Sequence, residues 1–245
     1  MIRLARDEGE ALADVPNQLL GLLTEDDRQL LLKECEVVPL APRQILIEAD
    51  ERVEHVFLPT SGVVSKLTIL SDGTSVESTT IGRDGLVGMS AYLGSQISSA
   101  RFLVQVPGAA LRLTPQRLRG IAEHSKSIPC LLNHYADYLI AVSAQSSACN
   151  RLHSVVQRCA RWLLRVHDLI DGDEFPLTQE SLAQMLGVRR ASVSIAAGEL
   201  QDAGLIKYAY GRVKIKDKPG LEAQSCECVA VIRRRYQTMV LDASI

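Results

Sequence analysis

The stretch that decides the reading runs from Leu177 to Leu200, LTQESLAQMLGVRRASVSIAAGEL. It holds two short helical patterns separated by one glycine. In the first, Leu182, Met185 and Leu186 are apolar at helical spacing, with Thr178 ahead of them as an N-cap and Ser181 in the first turn. Gly187 supplies the left-handed backbone position that ends one helix and turns the chain into the next. In the second, Val193, Ala196, Ala197 and Leu200 share the inner side and leave Arg189, Arg190, Ser192 and Ser194 facing out. Ala183, Gly187 and Val193 have the spacing of a DNA-binding helix-turn-helix. The alanine lets two helices cross closely, the glycine turns, and the valine plugs the second helix into the core.

The sequence that follows extends the pattern. Leu200 to Gly204 closes the second helix, and Ile206 to Tyr208 and Arg212 to Ile215 read as strands around the hairpin signal Tyr210-Gly211. That is a winged helix-turn-helix, with Lys207, Arg212, Lys214 and Lys216 on the wing to meet phosphates.

The 245 residues suffice for two modest domains. Charge is unevenly spread: 13 basic against 18 acidic residues through Asn150, and 14 against 11 after it, which sets the nucleic-acid surface in the second half. No apolar run is long enough to span a bilayer, and the N-terminus shows no signal-peptide pattern, so a cytoplasmic protein without a membrane partner is expected. In that compartment the six dispersed cysteines, Cys35, Cys130, Cys149, Cys159, Cys226 and Cys228, are expected unpaired.

Upstream, residues 1–15 read as a loose arm and Pro16 to Cys35 as helical, with Thr24 capping the second piece. From Glu36 to Leu113 short β-rich runs alternate with turn signals, among them Thr60-Ser61-Gly62 and Pro107-Gly108. Such spacing predicts an antiparallel barrel or jelly roll. Thr114-Pro115 opens a helix that ends near His124. Ser127 opens a longer one to about Asn150. There Ile128, Leu132, Tyr135, Leu139, Val142, Ser146 and Cys149 form a heptad seam, read as a dimer coiled coil in preference to an amphipathic core helix. Asn150 to Ser154 reads as a hinge, Ser154 caps a helix over Val155 to Leu169, and a last helix spans about Leu221 to Val240.

A β-roll, a long dimer helix, a hinge and a winged helix-turn-helix, in this order, resemble the Crp/Fnr family of bacterial transcription regulators over residues 18 to 240. The resemblance implies an α+β fold with three parts. Residues 1–126 would be the arm, helices and an antiparallel cyclic-nucleotide-binding-like roll; 127–153 the dimerisation helix and hinge; 154–245 the winged helix-turn-helix with a C-terminal helix. It implies a homodimer on a palindromic operator in double-stranded DNA, an effector sensed in the roll, and contact with RNA polymerase. By position, Thr178 and Gln179 match phosphate contacts, and Arg190 matches the arginine that reads guanine O6 and N7. Ala191 and Ile195 stand where the best-known pattern has a glutamate and an arginine, so the operator differs. The effector positions, Gly88, Met89, Ser98, Ser99, Arg101 and Tyr135, depart further. Gly88 is followed by Met89 where a glutamate is expected, Ser98-Ser99-Ala100 stands in place of the phosphate-binding arginine, and Arg101 is out of register.

Other chemistries find less support. An N-terminal iron–sulfur site needs four thiolates, and only Cys35 lies in the first hundred residues. Cys226 and Cys228, two apart on a predicted helix, point to different faces, so neither a metal site nor a cofactor is read there; Cys149 reads as a small buried hydrophobe. His55, His124, His134, His153 and His167 are scattered and read as surface or packing residues. Gly82 to Gly88 lacks the lysine of a P-loop, and no nucleophile stands with a base, so no enzyme is read. The rival function is a small-molecule-binding module whose helix-turn-helix is a packing device.

Overall fold

A computed structural model describes residues 17–243. The arm read over residues 1–15 lies outside the described residues. A 3-10 turn at Leu20–Leu22 precedes α1 (Glu25–Lys33), whose N-cap Thr24 accepts a hydrogen bond from the Asp27 amide. The strands β1 (Glu36–Leu40), β2 (Ile45–Ile47), β3 (Val56–Ile69), β4 (Ser75–Ile81) and β5 (Arg101–Leu113) form one antiparallel five-stranded sheet, ordered β1-β5-β3-β4 with β2 also on β5. α2 (Met89–Tyr92) lies between β4 and β5. Inside the roll Val56, Leu58, Val64, Leu86, Val104, Leu111 and Leu118 are buried.

Two expected turns are bends within long strands. Thr60-Ser61-Gly62 lies inside β3 and Pro107-Gly108 inside β5, where the β3–β5 register shifts repeatedly. The two glycines mark a close crossing of backbones. A Cβ on Gly108 would stand 2.4 Å from the Ser61 carbonyl carbon, and one on Gly62 would stand 2.6 Å from the Val106 oxygen. The turn-like composition reflects close approach within a folded-over sheet, a known use of strand glycine.

Thr114 caps α3 (Pro115–Ala122), and α4 (Ser127–Leu152) follows; its 26 residues span about 39 Å. α5 (Val155–Leu169) starts with a complete capping box between Ser154 and Gln157. The break between these helices is His153-Ser154, shorter than the hinge expected from Asn150. β6 (Glu174–Pro176), α6 (Gln179–Leu186), α7 (Arg190–Asp202), β7 (Ile206–Ala209) and β8 (Arg212–Ile215) build the winged unit, whose sheet runs β6-β8-β7.

The C-terminus departs from expectation. The single helix read over Leu221 to Val240 is two, α8 (Lys218–Gln224) and α9 (Cys228–Ala243), with Ser225 to Glu227 between them. Asp217 caps α8 through the Gly220 amide. α9 folds back along α4, and Ile232, Met239 and Ala243 join the core shared by roll and long helix.

A second core crosses from the roll to the winged unit. Val63, Leu67 and Val106 pack with Trp162, Leu163, Val166, Phe175 and Leu186. Trp162 is 1% exposed and donates to Glu77 Oε1 at 3.1 Å, and Arg165 pairs with Asp84 at 2.6 Å. The winged unit is therefore docked on the roll through buried apolar and polar contacts together. Among the described residues no helix is long and apolar enough to cross a membrane.

Candidate nucleic-acid interface and ligand-holding groups

The helix-turn-helix is assembled by the local chemistry its sequence carries. Thr178 Oγ1 accepts from the Ser181 amide at 3.0 Å, and Gly187 takes φ +61° to turn the chain. Ala183 and Val193 are buried at the crossing of α6 and α7. Arg189, Arg190 and Ser194 are exposed and Ser192 is half-buried. Ser194 Oγ donates to Gln179 Oε1 at 2.7 Å, tying the start of α6 to the outer face of α7. Thr178 thus caps α6, and Gln179 already holds the two helices in register. Ile195, 65% exposed, offers an apolar surface beside the arginines.

On the wing, Lys207 lies directly across from Lys214, and both are exposed, as is Lys216. Tyr210 (φ +52°) and Gly211 (φ +70°) form the hairpin turn in two successive left-handed positions. Arg212 is not a free cation: its Nε pairs with Glu174 Oε1 at 2.5 Å. The partner sits on β6, a strand the sequence reading does not assign. Tyr208 anchors the wing, its hydroxyl donating to the Leu177 oxygen at 2.8 Å.

The leading edge of α7 also faces the roll. A cleft of about 1070 Å³ separates Gly187, Arg189 and Arg190 from Thr74, Ser75 and Val76 of the β3–β4 hairpin. A Cβ on Gly187 would stand 3.1 Å from a Val76 methyl group, so turn and hairpin nearly touch.

The expected effector positions are occupied with one another's neighbours. Arg101 Nε donates to both oxygens of Glu48, at 2.8 and 3.0 Å, so the charge nearest the phosphate position is already matched. Ser98 Oγ donates to the Ala100 oxygen at 2.7 Å, and Ser99 is exposed. Met89 is buried next to Gly88, which takes φ +89°. The Tyr135 hydroxyl accepts from the Leu86 amide at 3.0 Å and is raised well above the usual phenol range, burial being the main cause. A separate cavity of about 200 Å³ opens between α4, α5 and α9, lined by Asp84, Tyr138, Arg161, Arg165, Asp168 and Tyr236. Burial works against the charge of Asp168, but hydrogen bonds from Lys218 and Arg233 outweigh it and hold the carboxyl below its usual range.

The heptad seam belongs to the chain's own core. Ile128, Leu132, Tyr135, Val142, Ser146 and Cys149 are each at most 5% exposed, and Leu139 is half-buried against the same cluster. The roll and α9 cover them, so they offer nothing to a second copy in this arrangement. Heptad spacing reports a helix face that is buried, and does not say whether the cover comes from the same chain. The outer strip of α4 carries Asn133, Asp137, Ile140, Ala144, Ser147 and Arg151, all exposed and likewise spaced by four and three.

Sequence reasoning also missed a cluster. Cys226 does not lie on a helix with Cys228; it sits in the break before α9, and both thiols turn toward Cys149 and His153. The two-residue spacing gave opposite directions only on the assumption of one continuous helix.

The architecture is that of a regulator with a ligand-binding-type roll joined to a winged helix-turn-helix. The family model of the cyclic nucleotide-binding domain matches residues 37–125, and that of the Crp-like helix-turn-helix domain matches residues 157–224. The pairing of these two domains marks the chain as a DNA-binding transcription regulator of the Crp/Fnr type. Similar solved structures include FixK2 from Bradyrhizobium japonicum (TM-score 0.67, 14% identity, covering 78% of this chain and 98% of that one). A putative transcriptional regulator of the Crp/Fnr family from Eubacterium rectale follows (0.65, 17%, 84% and 96%). The c-di-GMP responsive global regulator CLP of Xanthomonas campestris is also similar (0.62, 16%, 78% and 99%). These likenesses are of fold. No curated protein matches the sequence.

Proposed function

We propose that this regulator binds a palindromic operator as a homodimer, reads bases with the start of α7, and responds to a small-molecule effector through its roll. The carrying observation is the exposed pair Arg189-Arg190 at the start of α7, next to the lysine row of the wing. Arg190 suits bidentate contact with guanine, and Lys207, Lys214 and Lys216 suit the phosphate backbone. The outer strip of α4 around Ile140, 69% exposed, supports pairing there instead of at the buried seam. Two copies so joined would set their α7 helices about 34 Å apart, one turn of DNA. In this reading residues up to 126 sense, 127–153 pair, and 154–245 read DNA and, with the roll, face RNA polymerase. The Glu48–Arg101 pair argues against the usual clamp on a cyclic phosphate, so the effector is of a different chemistry or binds elsewhere. Exposure of the α7 arginines weighs against the rival reading, in which the helix-turn-helix only packs.

Arg190→Ala is expected to cost about 1–3 kcal/mol of operator affinity and to relax preference at one position per half-site. Titration of cognate and scrambled DNA by the parent and the variant measures both. Equal behaviour of the two proteins on both DNAs would remove Arg190 from base reading.

A further inference from the structure

Four side chains from two distant segments converge below the hinge. Cys149 and His153 stand one turn apart at the end of α4, and Cys226 and Cys228 flank Glu227 at the start of α9. Their three sulfurs and a ring nitrogen all lie within 4.8 Å of one another. Cys149 Sγ is 3.6 Å from Cys226 Sγ, and Cys228 Sγ is 3.6 Å from His153 Nδ1. Disulfide sulfurs are about 2.05 Å apart, so these are not bonded. Around one tetrahedral ion with Zn–S of about 2.3 Å and Zn–N of about 2.0–2.1 Å, the edges come to about 3.5–3.8 Å. The two 3.6 Å spacings, Cys149 to Cys226 and Cys228 to His153, match such edges. An iron–sulfur cluster sets its ligands on separate irons and needs the donors farther apart.

The surroundings support the same conclusion. The three cysteines are at most 3% exposed, which suits a closed site with four protein ligands. His153 Nε2 lies 3.1 Å from Glu227 Oε2, leaving Nδ1 to face the sulfurs; a carboxylate on the far nitrogen is the common outer partner of a metal-bound histidine. Gln145 Nε2 lies 3.0 Å from Cys228 Sγ and donates to it. Three thiolates and a divalent ion carry one net negative charge, and two buried guanidiniums stand ready for it. Arg158 and Arg161 both act electrostatically on the cluster, and Arg161 has no hydrogen bond or ion pair among the described residues. All four residues lie outside the two stretches matched by the family models.

We propose that Cys149, His153, Cys226 and Cys228 form a mononuclear Cys3His site for a tetrahedral thiophilic divalent ion of the zinc class. Loading displaces the thiol protons and ties the C-terminal helix to the end of α4. His153 is the last residue before the cap of α5, so occupancy also fixes the junction between long helix and winged unit.

The test is a cobalt(II) titration of the full chain, reduced and stripped of metal. The expected result is one equivalent bound, with the visible bands of tetrahedral cobalt and a near-ultraviolet thiolate charge-transfer band that zinc abolishes. Cys226→Ser and Cys228→Ser should lose the spectrum, while Cys35→Ser and Cys130→Ser should keep it. Where a site variant fails to fold, alkylation mapping of the parent decides. Zinc should protect Cys149, Cys226 and Cys228 together and leave Cys35 and Cys130 unchanged. Absence of a tetrahedral spectrum in folded, reduced protein would overturn the proposal. So would an unaltered spectrum in folded Cys228→Ser, alkylation of the three thiols unaffected by zinc, or a Cys149–Cys226 disulfide in protein prepared without oxidant.

Discussion

Replacing Arg165 with alanine is expected to destabilise the chain by about 3–5 kcal/mol, the range for a buried ion pair that loses one partner. Arg165 Nη2 meets Asp84 Oδ2 at 2.6 Å and the Thr80 oxygen at 3.0 Å, and the Asp84 side chain is 6% exposed. Burial opposes the guanidinium charge, but Asp84 and the neighbouring tyrosines more than offset it, so its proton is held more tightly than usual. Without that cation Asp84 keeps, among the described residues, only the Gly82 amide, at 3.3 Å. For a chain of this size the loss corresponds to roughly 6–20 °C in melting temperature. A double variant, Arg165→Met with Asp84→Leu, should recover much of it, because an apolar replacement of a buried pair is often near neutral. Denaturant unfolding checks both. A single variant within about 0.5 kcal/mol of the parent would show that the pair does not join the two halves.

Trp162→Ala should cost about 3–5 kcal/mol, through the cavity left at the centre of the second core. The ring is 1% exposed, packs on Phe175 with centroids 6.4 Å apart, and lies in the cluster that crosses from roll to winged unit. Trp162→Phe separates packing from hydrogen bonding. It keeps most of the ring but takes one donor from Glu77, which retains Ser65 and Thr80. That variant should lose about 1.5–3 kcal/mol, the range for one hydrogen bond to a charged group. An alanine variant no worse than the phenylalanine one would place the ring outside the supporting core.

Features whose cause is local were legible in the sequence. Thr24, Ser154 and Thr178 cap the helices they were expected to cap, since a cap needs only a side-chain oxygen and an amide three residues on. Gly187 and the Tyr210-Gly211 turn follow from backbone conformation alone. What was missed depends on distant segments. Gly62 and Gly108 looked like turns because their composition reflects each other's approach, which only the folded roll reveals. The α4 seam looked like a dimer face because α9, about a hundred residues away, was not yet lying on it. β6 is three residues with a proline and becomes a strand only by pairing with β8. The cysteine cluster needed both the break at Cys226 and the return of α9 to Cys149.

The central claim is sequence-specific DNA binding through α7 and the wing. Its most direct test is selection of bound fragments from genomic DNA by the purified full chain, run with and without small molecules from a cell extract. The predicted result is a two-fold symmetric motif, with half-sites about one helical turn apart, in at least one arm. No enriched motif in either arm, from protein shown to be folded and dimeric, would contradict the claim.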